Sequence, residues 1–455
     1  MFTYNEKKLF ATVLSFKIIV LILFVAFFGS SKLLWSGDAL EYVDFAKNIV
    51  AGNGFSRSVN GVFVPAHDRV PLYPGIIGLI TIISTKYFIV ITALFQAILA
   101  ALTALLVYRI GLFFMQRRWA VFAAILSVVE PVSVFMHMAI LAETLLVFCI
   151  VCGLYFFLRY QAERKWVFLA LSALAFMLAA YTKPVAMYVT LLPILFLAVD
   201  GRTAWKPLLI FCGIILLVAA PWLVRNYALF HMATMSTYGS KALCGYQVSA
   251  VFSVANRFVE TTPGIAMAEV WKFARYRELQ ELCNRVSPTW MLFVLAREYP
   301  SAFIKTNFLA TLGYLTTDGY AASASSGASG SPHNNYLTPA VFAGPAWRDH
   351  IKEAVAELSL FQIFIIILGR AFWSAIILLA LVGSINLLRS RATRVYGLLI
   401  LLVIVYFSSL SILGAAFAAG ARYRFEVSPL LFLLAVSGIF CIVKKRWFFR
   451  KNTSP

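Results

Sequence analysis

Ten apolar stretches, at roughly residues 9–28, 88–110, 119–137, 141–159, 166–184, 185–200, 207–224, 361–386, 395–417 and 428–443, constrain this chain more than any motif in it. A helix rises ~1.5 Å per residue, so about twenty apolar residues cross the hydrocarbon core of a bilayer. Inside lipid every backbone N–H and C=O must be paired within the segment, which leaves helices as the form these runs can take. Hydrophobic residues make up 62% of the 455 positions and charged ones 13%, against about a quarter charged in an ordinary soluble domain. The sequence therefore predicts an all-α polytopic membrane protein.

Charge sets the orientation. The formal net charge is +20, but the basic residues are not gathered into a patch with interleaved aromatics, which excludes a nucleic-acid partner. They fall as short clusters between the apolar runs: Lys7-Lys8, Arg117-Arg118, Arg164-Lys165, Arg202 with Lys206, Arg389-Arg391-Arg394 and Lys444-Lys445-Arg446. With an uncleaved signal anchor at 9–28 and both termini cytoplasmic, every cluster lies on the cytoplasmic side, as the positive-inside bias requires. That parity holds only if Leu72–Ile83, too short to span, is an interfacial or re-entrant helix. Membrane lipids, anionic ones included, are then expected neighbours.

Three segments follow: an N-terminal membrane module (1–224) with an outer loop at 29–87, an extracytoplasmic helical domain (225–360), and C-terminal membrane helices (361–455). Within the second, the Ser/Gly/Ala-rich stretch 318–336 is expected to be a mobile linker or a lid. Cys244 and Cys283 share that domain, where a disulfide can form. Cys149 and Cys152 lie inside an apolar run and read as buried structural thiols. No His, Asp and Glu spacing suits a metal, His67-Asp68 being the nearest approach, and no cofactor is expected. No internal repeat or pair of broken helices stands out, which argues against a transporter.

The first outer loop carries the chemistry. In "WSGDALEYVDFAKNIVAGNGFS" Asp38, Glu41 and Asp44 fall within one short helical segment, and Asp38, Glu41 and Tyr42 share a helix face. A solvated loop acid is the plain alternative. Downstream, "HDRVPLYPG" sets Arg69 ahead of two prolines that stiffen the backbone, so its planar fork of donors is held in one direction. A phosphate and a brace onto Asp68 are the two partners open to Arg69. Glu143 begins an outward-facing span, and Lys183, Arg225, Arg422 and Arg424 are outer cations against the inside bias.

The pattern G-D-x-x-x-Y-x-x-x-A-x-N-x-x-x-G-x-G-F-S followed by R-x-P-x-Y-P resembles the C-type (GT-C) glycosyltransferase superfamily, in the branch of protein O-mannosyltransferases and lipid A aminoarabinose transferases. "AILAETLLVF", "YTKPVAM", "PWLVRNYALF" and "ARYRFEVSPLLFLLA" extend the resemblance along the membrane helices. It implies a GT-C-like helical bundle and an inverting glycosyltransferase. The donor would be a sugar on a polyprenyl-phosphate carrier, and the acceptor a hydroxyl of a lipid, glycan or protein. Transfer would take place on the extracytoplasmic face of the cell (inner) membrane.

The loop aspartate, here Asp38, is the family's general base. A second acid often follows it directly; Ala39 stands there, which leaves a helper carboxylate to be found, with Glu41 and Glu143 as candidates. Arg69, Lys183, Arg225, Arg422 and Arg424 are expected around the departing phosphate, and Tyr42, Tyr73 and His67 against the substrate. A polymerase or ligase using a lipid diphosphate, and a lipid or solute transporter, are the competing readings.

Overall fold

The computed structural model describes residues 3–199, 205–256, 271–319, 342, 347–356 and 358–452. The expected lid at 318–336 lies outside these residues except for Asp318 and Gly319. The chain forms two compact units: Met1–Ser236 with Ile376–Tyr406 and Phe425–Pro455, and Thr237–Ala375 with Phe407–Arg424.

In the first unit, α1 (Tyr4–Phe28) starts at a capping box in which Thr3 and Glu6 satisfy each other's backbone N–H. After it come α2 (Gly37–Val50), a hairpin of β1 (Ser56–Val59) and β2 (Val62–Pro65), α3 (Leu72–Ile83) and α4 (Phe88–Gly111). The hairpin turns at Asn60-Gly61, both with positive φ, as a two-residue turn demands, and pairs Ser56 with Pro65. The expected span at 119–137 is broken instead: α5 (Arg117–Val129) and α6 (Pro131–Met138) meet at 60°. Pro131 cannot donate into the preceding turn, and Glu130 caps the new helix by accepting from the Ser133 amide at 2.8 Å. Lys17 of α1 fills the break, donating to the Val128 carbonyl at 2.6 Å and lying 3.0 Å from His137 Nδ1.

Next come α7 (Glu143–Glu163), α8 (Trp166–Thr182), α9 (Leu191–Val199), entered through a 3₁₀ segment Pro184–Thr190, and α10 (Trp205–Phe230). Helices α4 and α7 are the most buried spans; α1 and α10 show most of their surface to the surroundings. Helices Leu360–Arg389 and Ser428–Asn452 touch at Gly383 and Gly438, where an added Cβ would lie 1.9 Å and 2.2 Å from a backbone oxygen of the opposite helix.

Among the described residues six helices have the length and composition of membrane spans, and the bent pair makes a seventh. Trp166–Thr182, Pro184–Val199 and Ser428–Val443 are shorter apolar helices at the sites of the other three expected crossings. Leu72–Ile83 is a separate helix of 12 residues packed on α2, as its length requires.

The second unit has its own core. Helices Ala274–Arg285, Pro288–Glu298 and Pro300–Thr316 join a segment at 243–255 around Val248, Val251, Phe252, Tyr276, Met291 and Leu295. The Cys244–Cys283 disulfide lies in this core. Buried Arg424 donates to the carbonyls of Tyr314 and Thr317 and stacks 3.8 Å from the Trp373 ring.

Candidate active site

The carboxylates of α2 are organised by two arginines. Arg69 leaves the stiff turn with Nη2 2.6 Å from Asp38 Oδ1 and Nε 2.7 Å from Glu41 Oε2. Arg57, on β1, also binds Glu41 and reaches Asp68 at 3.1 Å. Burial works against the Arg57 charge, but Asp68 and Glu41 outweigh it and raise its pKa. Asp44, one turn beyond Glu41, accepts from the Ser58 amide at 2.9 Å and so ties α2 to the hairpin. The three acids of the loop therefore have defined partners, and Arg69, for which a phosphate and Asp68 were the two partners left open, holds Asp38 and Glu41 while Asp68 pairs with Arg57.

A second cluster sits at the N-terminus of α7. Glu143 is fully buried and lies 3.4 Å from Lys183 Nζ, and Lys183 also binds buried Glu426. One ammonium thus sits between two carboxylates.

Arg225, near the end of α10, meets neutral oxygens: Nη1 donates to Ala66 O at 2.8 Å and to Asn226 Oδ1 at 2.7 Å, and Nη2 to Phe55 O at 3.0 Å. Its guanidinium lies 4.6 Å from the Trp222 ring centroid. It clamps both ends of the hairpin onto α10. Among the described residues it is the cation of this unit's loop cluster with hydrogen bonds to neutral oxygens and no carboxylate ion pair. Three of its five N–H donors are used in these bonds.

The tyrosines expected against substrate are inside the packing. Tyr42 lies edge-on to Tyr73 at 5.1 Å and 5.5 Å from Arg69, and both rings are buried. Burial raises the pKa of each well above the ordinary phenol range, so they act as neutral supports. His67 faces the Phe230 ring at 4.2 Å. Arg422 and Arg424 belong to the second unit, where Arg424 is a buried staple.

Three residues passed unnoticed in sequence: Arg57, Glu426 and Gln96. Gln96 is fully buried in α4, and both ends of its amide are used. Its Oε1 accepts from the Tyr73 hydroxyl, and its Nε2 donates to His137 O at 3.1 Å and Ala139 O at 2.7 Å. It joins the Arg69 turn to the loop that delivers Glu143. The available signal was an amide in the middle of an apolar span, where an unpaired polar group is costly.

A family model for dolichyl-phosphate-mannose-protein mannosyltransferases matches residues 68–225, the stretch from Asp68 and Arg69 through Glu143 and Lys183 to Arg225. The archaeal oligosaccharyltransferase AglB of Archaeoglobus fulgidus, solved with an inhibitory peptide and a dolichol-phosphate, aligns with 99% of this chain at 14% identity and a TM-score of 0.50. The apo form of the Archaeoglobus fulgidus enzyme aligns with 98% of it, also at 14% identity and 0.50. This chain spans 52% of each of those chains. ArnT of Cupriavidus metallidurans, solved with undecaprenyl phosphate, aligns with 94% of this chain and 76% of its own at 15% identity and a TM-score of 0.40. No curated protein sequence matches. The chain thus shares the helical membrane fold of that oligosaccharyltransferase, and residues 68–225 are similar to the mannosyltransferase family. The chain is a multi-pass membrane protein.

Proposed function

We propose that the chain is an inverting glycosyltransferase that takes a sugar from a polyprenyl-phosphate carrier and places it on an acceptor hydroxyl at the extracytoplasmic face, with Asp38 as general base. The observation that carries this reading is the Arg69–Asp38 pair at 2.6 Å, which aims one carboxylate from the first turn of α2. An acceptor hydroxyl is a weak nucleophile until its proton has somewhere to go, and a positioned base contributes about 10²–10⁴-fold. As the hydroxyl oxygen bonds to the anomeric carbon, its proton passes to Asp38. The bond from that carbon to the carrier phosphate breaks on the opposite side, and polyprenyl phosphate leaves.

The leaving phosphate gains charge as the bond breaks, and a cation already in place stabilises that state more than the ground state. Arg225 suits this role best, because its bonded partners are neutral, whereas Arg69, Arg57 and Lys183 each face carboxylates. Lys183 then orders Glu143 and Glu426, and Glu41 serves to hold Arg69 and Arg57. The match to a mannosyltransferase family model supports a carrier-linked sugar donor, and the fold shared with a dolichol-phosphate-bound oligosaccharyltransferase is compatible with it. The basic clusters support cytoplasmic termini and an outward-facing site in the cell membrane.

The test is transfer of labelled sugar by the purified full chain in detergent. A panel of polyprenyl-phosphate sugars would be offered with acceptors extracted from the source envelope. Transfer from at least one monophosphate donor, lost in Asp38→Asn, is expected. Transfer only from lipid diphosphates would favour the polymerase or ligase reading, and movement across vesicles without transfer the transporter.

A further inference from the structure

Helix Pro300–Thr316 sits in the stretch expected to be a solvated domain, yet its outward face is apolar. Ile304, Phe308 and Leu312, spaced four residues apart on one face, are 70%, 61% and 38% exposed. The opposite face, with Ala302, Thr306, Leu309, Ala310 and Gly313, is buried in the unit's own core. A soluble helix reverses this order, with charge on the outer face. Here Lys305 is the one charged residue in the helix.

Two independent observations say what covers the exposed face. First, the helix is tied to a membrane span. Helix Arg394–Ala415 passes the length and composition test for crossing. Its Ser408 hydroxyl donates to Tyr314 Oη at 3.2 Å, about two turns inside the end of that span. Phe417, at the end of the span Arg394–Ala418, packs on the same core, and Arg424 holds the Tyr314 and Thr317 carbonyls. The C-terminal end of Pro300–Thr316 is therefore bonded to a helix long and apolar enough to cross a membrane.

Second, three of its polar side chains bond back along the helix itself. Asn307 donates to Phe303 O at 2.8 Å, Thr311 to Asn307 O at 2.7 Å and Thr316 to Leu312 O at 2.6 Å, each one turn back along its own helix.

We propose that Pro300–Thr316 is a lipid-embedded helix: Ile304, Phe308 and Leu312 contact acyl chains of the leaflet at that end of the Arg394–Ala415 span. The occupant of the face is bilayer lipid, and the unit it belongs to is a membrane-seated one.

The test uses the full chain in nanodiscs of phosphatidylcholine and phosphatidylglycerol, with Cys149, Cys152, Cys212 and Cys441 replaced by alanine and the disulfide kept. Nitroxide labels are placed singly through Ile304→Cys, Phe308→Cys and Leu312→Cys, and through Glu281→Cys as an exposed control on helix Ala274–Arg285. Collision with molecular oxygen and with a water-soluble nickel chelate is then compared. Oxygen-to-nickel accessibility ratios several-fold above the Glu281→Cys value are expected at all three positions. A ratio at 308 equal to that at 281 places the face in water and overturns the proposal. Protection of 308 from both reagents overturns it as well, because protein and not lipid would then cover the helix. Labelled variants are compared only where their melting temperature matches the unlabelled chain, and 304 and 308, the more exposed positions, serve as duplicates of each other.

Discussion

Replacing Arg69 by alanine, alone and together with Asp38→Asn, separates an arginine that aims the base from one that touches the carrier phosphate. The Arg69–Asp38 contact is a charge-assisted hydrogen bond between side chains 10% and 22% exposed, so its removal costs about 1.5–3 kcal/mol. At 1.36 kcal/mol per tenfold, Arg69→Ala lowers turnover by roughly 10- to 150-fold. Asp38→Asn removes the proton acceptor and lowers turnover by about 10²–10⁴. If Arg69 works through Asp38, nothing remains for it to aim once the carboxylate is gone. The double variant then matches Asp38→Asn within about threefold, and the interaction energy equals most of the Arg69→Ala effect. Single-turnover transfer from a labelled donor reads losses of this size, and a melting curve in detergent checks that Glu41, still held by Arg57, keeps the loop folded. A double variant that loses the product of the two single effects would refute the reasoning and return Arg69 to the phosphate.

Gln96→Leu leaves the Tyr73 hydroxyl and the His137 carbonyl without this partner in a buried site, at roughly 1–3 kcal/mol each; melting should fall and turnover drop more than carrier binding, with Gln96→Glu restoring the Tyr73 contact only. Arg225→Ala should weaken binding of polyprenyl phosphate, measured by native mass spectrometry, by about tenfold or more, and Arg225→Lys should recover part of it by keeping the charge without the fork. The same substitution should expose the hairpin to protease, since both of its ends lose their clamp. Cys244→Ser with Cys283→Ser opens a bridge across a sequence separation of 39, worth about 4 kcal/mol by loop-closure entropy, so the second unit should melt earlier; unchanged melting would show that the bridge does not form.

Much of this architecture was readable along the chain because lipid imposes a local rule. A run of about twenty apolar residues must become a helix, whatever it packs against, since its backbone has no other partners there. Leu72–Ile83 is the separate short helix that its length suggested, and the motif of the first loop placed Asp38 and Arg69 in one small region. Two local signals were present but outweighed by hydropathy: Glu130-Pro131, which breaks the expected span at 119–137, and Asn60-Gly61, which turns the hairpin.

The order and nature of the segments were legible along the chain: apolar helices, basic clusters between them, an acidic loop after the first helix and a motif that resembles C-type glycosyltransferases. Tertiary structure decided which charges meet. Lys183 finds Glu426 across 243 residues, Arg69 takes Asp38 and Glu41 while Asp68 goes to Arg57, and Gln96 joins Tyr73 to the loop ahead of Glu143. An ion pair depends on distance and desolvation in three dimensions, and neither is encoded in the spacing of two residues along the chain. The same holds for Pro300–Thr316: its sequence hardly separates a polar from an apolar face, and only its packing on the unit's core leaves Ile304, Phe308 and Leu312 outward.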